Sequence, residues 1–225
     1  MKKVIVTTSW DDGHVLDVKL AELLRRYGIA GTFYIAPENR EIAPDKRLDK
    51  RRVRSLAEHF EIGAHTMTHS KLSHVGDASA YHEIAASKKV LEDWSGKHVT
   101  SFCYPSGDHL PKHEQMVKSA GFSLARTVER FRIDVGTDPF ALPTTVHAYR
   151  HWSDISLLLS RGYFNWDDLA ISLFERAAIA GGVFHLWGHS WEIEKNNDWR
   201  RLERVLGHIA HRSEIDYVPN KDLMS

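Results

Sequence analysis

Short apolar runs of strand length alternate with segments of helical period along this chain, and no other feature of the sequence restricts its fold as strongly. The first run, residues 4–10, precedes a helical segment, residues 15–27, which ends at Gly28. Repeated alternation of this kind is typical of βα units and predicts a mainly parallel sheet. The expected strands cover residues 4–10, 31–36, 62–65, 99–104, 124–128, 144–149 and 183–187, and the expected helices cover residues 15–27, 52–60, 78–94, 113–120, 155–160, 166–180 and 199–212.

The same strands follow one another without a linker, which favours a single domain over residues 1–225. A chain of 225 residues suits a repeating α/β barrel, and a hydrophobic fraction of 42% supplies a sizeable core. We therefore expect an α/β fold, a distorted (β/α) barrel of about seven strands that is similar to the TIM barrel. In such a barrel the functional groups gather at the carboxyl ends of the strands.

The charge balance and the cysteine count exclude several classes of protein. Lys plus Arg and Asp plus Glu both number 30, so net charge gives no reason to expect nucleic acid or a membrane as a partner. No apolar run approaches the roughly 18 residues of a membrane span. The lone Cys103 excludes an internal disulfide. The sequence begins with the first strand and no leader, which favours a cytoplasmic location, and it leaves the oligomeric state open.

An acidic pair, Asp11 and Asp12, ends the first strand and is followed by Gly13. Gly13 permits a sharp turn, and neighbouring residues that leave a strand point in different directions, so the two carboxylates can have different tasks. One could bind a metal ion while the other accepts a proton. The alternative is a simple Asp-Gly turn with Asp12 as a helix cap.

Two histidines, His65 and His69, follow the third strand. On a helix this spacing would place both rings on one face, but the apolar residues before His65 indicate a strand end and the turn after it. Such a pair is often incidental. Combined with an aspartate from the first strand, it makes a set of two imidazoles and one carboxylate, which is what a catalytic divalent ion with an open position requires.

At these residues the sequence resembles the polysaccharide deacetylase family, the carbohydrate esterases that share the NodB homology domain. The family's first motif, Thr-Phe-Asp-Asp-Gly, is matched by Ser9-Trp10-Asp11-Asp12-Gly13, and its second, His-Ser/Thr-x-x-His, by His65-Thr66-Met67-Thr68-His69. The resemblance spans the chain from the first strand to the late one. It implies a metal-dependent hydrolase that removes an N-acetyl group from a substrate containing an amino sugar.

The resemblance also implies a role for each matched residue. Asp12, His65 and His69 would hold one divalent ion, most often zinc, with cobalt, nickel or manganese as further options. Asp11 would be the general base that takes a proton from the attacking water. This assignment agrees with general chemistry, since a divalent ion lowers the pKa of water and polarises an acyl carbonyl while a nearby carboxylate receives the proton.

The third family motif, Arg-x-Pro-Tyr, is only partly present. It falls on Cys103-Tyr104-Pro105-Ser106, so both the arginine and the tyrosine are replaced. The backbone N–H of Ser106 could still form part of an oxyanion site, because the side chain at that position matters little. Arg126, near the end of the next strand, is the candidate replacement for the arginine that orients the base. The alternative is that Arg126 is a surface residue or belongs to an ordinary ion pair.

The last family motif, Leu-x-His after a late strand, points to His189 as the general acid that protonates the leaving amine. His185 lies within the strand and is the less favoured alternative, expected in the core. The side chains expected to line the substrate pocket are Tyr104, His147, Trp187 and Trp191, together with His14 and Trp152. Tryptophan faces stack well on sugar rings, although most of the tryptophans should belong to the core.

Two other functions stay open from the sequence alone. One is hydrolysis of a non-sugar amide, or of a cyclic imide or ureide, which the altered third motif allows. The other is a non-catalytic carbohydrate-binding protein, against which the intact acidic and histidine pairs argue. Segments 37–50 and 130–143 follow the second and fifth strands and are expected to roof the cleft, which favours a small N-acylated substrate, such as a sugar, over a wall polymer.

Overall fold

The computed structural model describes residues 4–151, 153, 159–160 and 162–224. Trp152 and most of the helix expected over residues 155–160 lie outside this part of the chain. The strands are β1 (Val4–Asp12), β2 (Thr32–Ile35), β3 (Glu61–Ala64), β4 (Ser101–Cys103), β5 (Leu124–Arg126), β6 (Val146–His147), β7 (Gly182–Gly188) and β8 (Ile215–Tyr217). The α-helices are α1 (Asp17–Arg26), α2 (Lys50–Ala57), α3 (Asp77–Ser95), α4 (Pro111–Ser119), α5 (Trp166–Ala180), α6 (Ser190–Lys195) and α7 (Trp199–Ile209).

The strands form one parallel sheet that curls into a half-barrel, which confirms the expected distorted α/β barrel. Their order is β5-β4-β3-β2-β1-β7-β6, and β8 pairs with β1. One edge of β1 pairs with β7 from Val4 to Trp10. The other edge is shared, because β8 pairs with the first residues of β1 and β2 with the last ones. β1 is therefore the central strand, and its carboxyl end lies in the middle of the sheet.

Two of the strands differ from the sequence-based expectation. The strand expected over residues 144–149 forms only at Val146–His147, in part because the Thr144 N–H donates to the Glu129 carbonyl in a loop (2.7 Å). β8 was not expected, since a run of three residues in which only Ile215 is buried carries no recognisable pattern. By contrast, α5 begins and ends at the expected residues.

Segment 130–143 lies at the gap between the two edge strands of the sheet, β5 and β6, and it contacts β5 and β7. Leu142 forms a parallel bridge with Arg126, and the Ile133 carbonyl accepts from the Val183 N–H at 2.9 Å. Val183 lies at the amino end of β7, whereas the functional groups are expected at the carboxyl end. The expectation that this segment roofs the cleft is therefore wrong for the part that reaches β7.

The interior of the half-barrel is polar near the carboxyl terminus of the chain. Thr7 Oγ1 donates to Asn220 Oδ1 at 2.8 Å, and Asn220 Nδ2 donates to the Tyr34 hydroxyl at 3.0 Å. Because these buried groups are paired with one another, the polar interior avoids the cost of unpaired donors and acceptors. None of the described helices is both long and apolar enough to cross a bilayer.

Candidate active site

The register of the sheet brings the predicted metal ligands together at the carboxyl ends of the strands. Asp12, the last residue of β1, pairs with Ile35 of β2, and Ile35 pairs with Ala64 of β3. His65 directly follows Ala64, so it comes level with Asp12 although the two are far apart in sequence. Strands β4 and β5 end at the same edge.

Asp12, His65 and His69 lie close enough to share one metal ion. Asp12 Oδ1 is 3.2 Å from His69 Nε2 and 3.7 Å from His65 Nε2. Within the described part of the chain, this buried oxygen has no hydrogen-bond donor. An unpaired buried carboxylate oxygen is costly unless a cation compensates it, so the cluster has the properties expected of a cation site.

The second nitrogen of each imidazole is turned away from Asp12. His65 Nδ1 donates to the Cys103 carbonyl at 2.8 Å, and His69 Nδ1 lies 3.3 Å from Glu41 Oε2. Burial lowers the pKa of His65 to about 4, so the ring is neutral near pH 7 and its Nε2 presents a lone pair. Two imidazole nitrogens and one carboxylate oxygen are a donor set that fits zinc and similar divalent ions.

Strained backbone conformations occur at the same edge of the sheet. Positive φ angles are found at Asp12 (82°), Thr66 (60°), His69 (64°) and Ser106 (56°). Outside glycine such conformations cost on the order of 1–3 kcal/mol each, and they persist where the surrounding structure fixes them. Their concentration around the candidate metal ligands supports a functional site at this position.

Asp11 has a different partner from its neighbour Asp12. Both of its carboxylate oxygens accept from Nη2 of Arg126, whose side chain is fully buried. Cys103 pairs with Arg126 in the register between β4 and β5, and its thiol lies 3.7 Å from Asp11 Oδ2. Cys103 thus places a small side chain where the third motif would carry arginine. The guanidinium of Arg126 reaches the Asp11 carboxylate from the neighbouring strand, β5.

The charge of Arg126 controls the ionisation of Asp11. Burial alone would raise the pKa of Asp11, but the charge of Arg126, assisted by its hydrogen bonds, lowers it to about 2. The carboxylate is therefore ionised throughout the physiological range, and it is able to accept a proton.

Two residues of the altered third motif lie in different surroundings. Ser106 is exposed in the turn that follows β4. Tyr104 is fully buried, its hydroxyl donates to the Phe140 carbonyl at 3.1 Å, and its ring stacks on His109 with centroids 4.4 Å apart. A side chain without exposed surface cannot line a pocket, so the expectation that Tyr104 contacts the substrate is wrong.

His189 follows β7 and lies beside the candidate metal ligands. Its Nε2 is 3.9 Å from Asp12 Oδ2, and its Nδ1 is 2.5 Å from Glu192 Oε2. Burial alone would lower the pKa of His189, but Glu192 and Asp12 raise it to about 9. The ring is therefore protonated near pH 7 and has a proton to donate.

His185, the alternative histidine, lies inside the barrel. It is buried, and its Nε2 is 2.8 Å from Ser9 Oγ. Burial lowers its pKa to about 3, so this ring is neutral near pH 7. Of the two histidines, the geometry places His189 beside Asp12.

A cleft of about 280 Å³ opens next to Asp12. Its other walls are formed by His14, Glu41, Ile42, Ala43, Lys46 and Trp191. Segment 37–50 therefore lines the cleft, as expected. Trp191 has two roles here, because its ring forms part of the wall while its Nε1 donates to Asp12 Oδ2 at 2.8 Å.

Trp187 and His147 lie behind the cleft. Each is only 5% exposed, and their rings stack in parallel with centroids 3.8 Å apart. The guanidinium of Arg126 lies over the ring of Trp187, 4.8 Å from its centroid. Both are predicted to line the substrate pocket, and in the structure Trp187 contacts Arg126 and His147 contacts Glu192. Arg126 and Glu192 in turn contact Asp11 and His189.

Sequence reasoning assigned no role to Glu192 or to the indole N–H of Trp191. The spacing of His189 and Glu192 could have revealed the first, because side chains three residues apart meet at the start of a helix. No local pattern could have revealed the second, since Trp191 and Asp12 come together only through the pairing of β7 with β1.

Residues 1–125 match the family described as Polysaccharide deacetylase. The chain is similar to the "Putative polysaccharide deacetylase YxkH" of Bacillus subtilis, with 25% identity over 130 residues. That match covers 57% of this chain and 45% of the relative, so it spans about half of the relative's length.

Solved structures of similar fold carry related names. A "putative polysaccharide deacetylase" of Mycobacterium smegmatis superposes with a TM-score of 0.70 at 15% identity, covering 99% of this chain and 91% of that one. The Streptococcus pyogenes deacetylase PplD, solved in complex with acetate, gives a TM-score of 0.57 at 16% identity, covering 61% and 62%. At these identities the likeness shows a shared fold.

Proposed function

Because this chain belongs to the polysaccharide deacetylase family, we propose that it is a metal-dependent hydrolase that removes an N-acetyl group from a substrate containing an amino sugar. The observation that carries the proposal is the difference between two adjacent carboxylates. Asp12 turns an unpaired oxygen toward His65 and His69, whereas Asp11 is held in an ion pair with Arg126. A protein that only binds sugars has no need of a second, charge-paired carboxylate beside a cation site.

The cation site and the base have separate tasks in this proposal. Asp12, His65 and His69 would hold a divalent ion, which when bound lowers the pKa of water and polarises the acyl carbonyl. Asp11 takes a proton from the attacking water, and Arg126 orients both of its oxygens and keeps it ionised.

Two further groups act on the leaving nitrogen and on the acyl oxygen. His189 donates its Nε2 proton to the leaving nitrogen as the C–N bond breaks. The backbone N–H of Ser106 is the proposed donor to the acyl oxygen, because it lies in the turn that takes the place of the third family motif.

A substrate panel tests the function. N-acetylated chitooligosaccharides, N-acetylated nucleotide sugars, cyclic imides and cyclic ureides would be incubated with the zinc-loaded protein, and acetate release or ring opening would be measured. We expect acetate from at least one N-acetylated sugar. Turnover of the imides or ureides alone would establish the non-sugar alternative. Sugar binding without turnover of any compound would establish the binding protein.

The size of the cleft supports a small substrate. A volume of about 280 Å³ next to Asp12, walled on one side by segment 37–50, is at the lower limit of ordinary small-molecule sites. We expect kcat/KM for a short N-acetylated sugar to exceed that per site of a polymer by at least about tenfold, or roughly 1.4 kcal/mol in transition-state binding. Equal or higher values on chitin or peptidoglycan fragments would refute the small-substrate proposal.

A further inference from the structure

One wall of the cleft beside Asp12 carries a positive charge that no described side chain neutralises. Lys46 lines this cleft, and within the described residues its ammonium group has no carboxylate at ion-pair distance. Lys50, four residues further along the same segment, differs in this respect, because its Nζ pairs with Asp93 at 2.6 Å. The ammonium group of Lys46 is therefore available to a ligand in the cleft.

The backbone holds Lys46 against the turn that follows Asp12. The Lys46 carbonyl accepts from the Val15 N–H at 2.8 Å, and the Leu48 N–H donates to the Gly13 carbonyl, also at 2.8 Å. The side chain of Lys46 is exposed, but these two bonds fix the position from which it extends. The charge therefore lies on a wall that is already formed beside the candidate metal ligands.

His14 supplies a second donor on the same wall. Its Nδ1 accepts from the Leu16 N–H at 3.1 Å, so the ring carries its proton on Nε2. The ring is half-buried and lines the cleft together with Lys46. An ammonium group and an imidazole N–H both donate hydrogen bonds, and together they suit an oxyanion.

The acidic groups of the cleft lie on the side of the metal ligands. Besides Asp12 the lining contains one carboxylate, that of Glu41, and its Oε2 lies 3.3 Å from His69 Nδ1. An indole face suits a sugar ring, and such a face is available among the remaining lining residues, which are Ile42, Ala43 and Trp191. The cleft thus combines a cation site, a surface for a sugar ring and a basic wall.

We propose that the substrate is an N-acetylated amino sugar that carries an anionic group, a phosphate or a carboxylate, and that Lys46 and His14 bind this group. The inference rests on the proposed hydrolase function and names the substrate class of the same cleft. A lysine attracts either oxyanion as a point charge, whereas a neutral sugar would gain nothing from that charge. A cleft of about 280 Å³ suits one sugar with such a substituent.

Sugars that differ in one substituent test the proposal. They are N-acetylglucosamine, its 1-phosphate, its 6-phosphate, and N-acetylmuramic acid, which carries a carboxylate. For the zinc-loaded protein we expect kcat/KM to be at least about tenfold higher for one of the anionic sugars than for N-acetylglucosamine, since a hydrogen bond to a charged group is stronger than one to a neutral group. The preference should shrink as salt is added, because salt screens the charge of Lys46.

Variants of Lys46 show whether its charge causes the preference. Lys46→Gln should lower kcat/KM for the preferred anionic sugar by about tenfold, mainly through KM, with a loss on the neutral sugar at least about fivefold smaller. Lys46→Arg keeps the charge and should keep the preference. Lys50→Gln is the matched control, since Lys50 lies on the same segment but pairs with Asp93, and it should change neither rate.

Binding measured by calorimetry gives a readout that does not depend on turnover. Glucosamine 6-phosphate, glucosamine 1-phosphate, muramic acid and glucosamine, the deacetylated products, would be titrated into the zinc-loaded protein and into Lys46→Gln. We expect at least one of the three anionic products to bind more tightly than glucosamine, and this difference should be lost in Lys46→Gln.

Two results would overturn the inference. Equal kcat/KM for the neutral sugar and all the anionic ones would show that the basic wall selects nothing. A preference for anionic sugars that survives in Lys46→Gln would show that another group, such as the metal ion, binds the anion. If none of the sugars is hydrolysed, the proposed function fails, while calorimetry still decides whether Lys46 binds an oxyanion.

Discussion

The two halves of the candidate site are built in different ways. The metal half consists of Asp12, His65 and His69, and all three come from two short motifs that match the family. The proton-transfer half consists of the pairs Asp11–Arg126 and His189–Glu192, and in each pair the second residue lies outside the motifs quoted above. Both halves meet at the same edge of one sheet.

The two halves differ because a metal site and a buried carboxylate place different requirements on the surrounding residues. A metal ion needs a fixed number of donor atoms at fixed distances, which short motifs can supply. A buried carboxylate stays ionised when a positive charge lies within hydrogen-bonding reach, and any strand at the right level can supply that charge. Arg126 satisfies that need from β5, because the register places it beside Cys103 of β4.

Separate substitution of Asp11 and Asp12 tests the difference between the two halves most strongly. Asp11→Asn should lower kcat by about 10²–10⁴-fold while the metal stays bound, because it removes a base without removing a ligand. Asp12→Asn should instead lower the metal content. Asp93→Asn is the control, since Asp93 is exposed and paired with Lys50 away from the site. Loss of metal in the Asp11 variant and its retention in the Asp12 variant would mean that the two roles are reversed.

Unfolding measurements can test whether the proton-transfer half depends on its buried ion pair. Arg126→Met leaves the Asp11 carboxylate buried without a partner, so we expect the free energy of unfolding to fall by about 3–5 kcal/mol. Lys50→Met breaks the exposed pair with Asp93 (2.6 Å) and should cost less than about 1 kcal/mol.

The double variant Asp11→Asn/Arg126→Met removes the unpaired charge, and we expect it to be more stable than Arg126→Met alone. Denaturant titration of the three variants measures these free energies of unfolding. Similar small losses for Arg126→Met and Lys50→Met would contradict the account of Arg126 as the partner that Asp11 requires.

A smaller effect is expected where the metal half depends on a residue outside its motifs. Trp191→Phe keeps the aromatic wall of the cleft but removes the N–H that donates to Asp12 Oδ2. Loss of such a supporting hydrogen bond should weaken metal binding by about tenfold, measured by competition with a chelating dye. Trp199→Phe, which removes a comparable N–H bonded to Glu194 on the surface, should leave the affinity unchanged. Equal affinities in both variants would show that the metal half needs no support beyond its motifs.

Sequence patterns predicted the barrel closely, and they also identified Asp12, His65 and His69, which the structure brings together. Both features depend on residues that are close to one another in the sequence. The alternation of strands and helices, the acidic pair after β1 and the histidines after β3 all lie within short segments. The sequence also indicated Arg126 as a candidate, although only the register of β4 and β5 shows how it reaches Asp11.

The remaining features depend on packing that a linear pattern does not contain. Tyr104 and Trp187 read as aromatic pocket residues, yet the curl of the sheet buries both of them. Segments 37–50 and 130–143 look alike as polar insertions, but the first lines the cleft and the second contacts β5 and β7. The two segments differ in position because segment 130–143 lies at the gap between β5 and β6. That gap is evident only from the sheet topology.

Metal content tests the central claim most directly. The unchanged protein, purified without chelator, should contain about one divalent ion per chain by elemental analysis, as a three-ligand mononuclear site requires. His69→Ala should lose that ion together with acetate release, whereas His98→Ala, whose side chain is 96% exposed, should lose neither. Unchanged metal content in His69→Ala, or acetate release by the metal-free protein, would contradict the account.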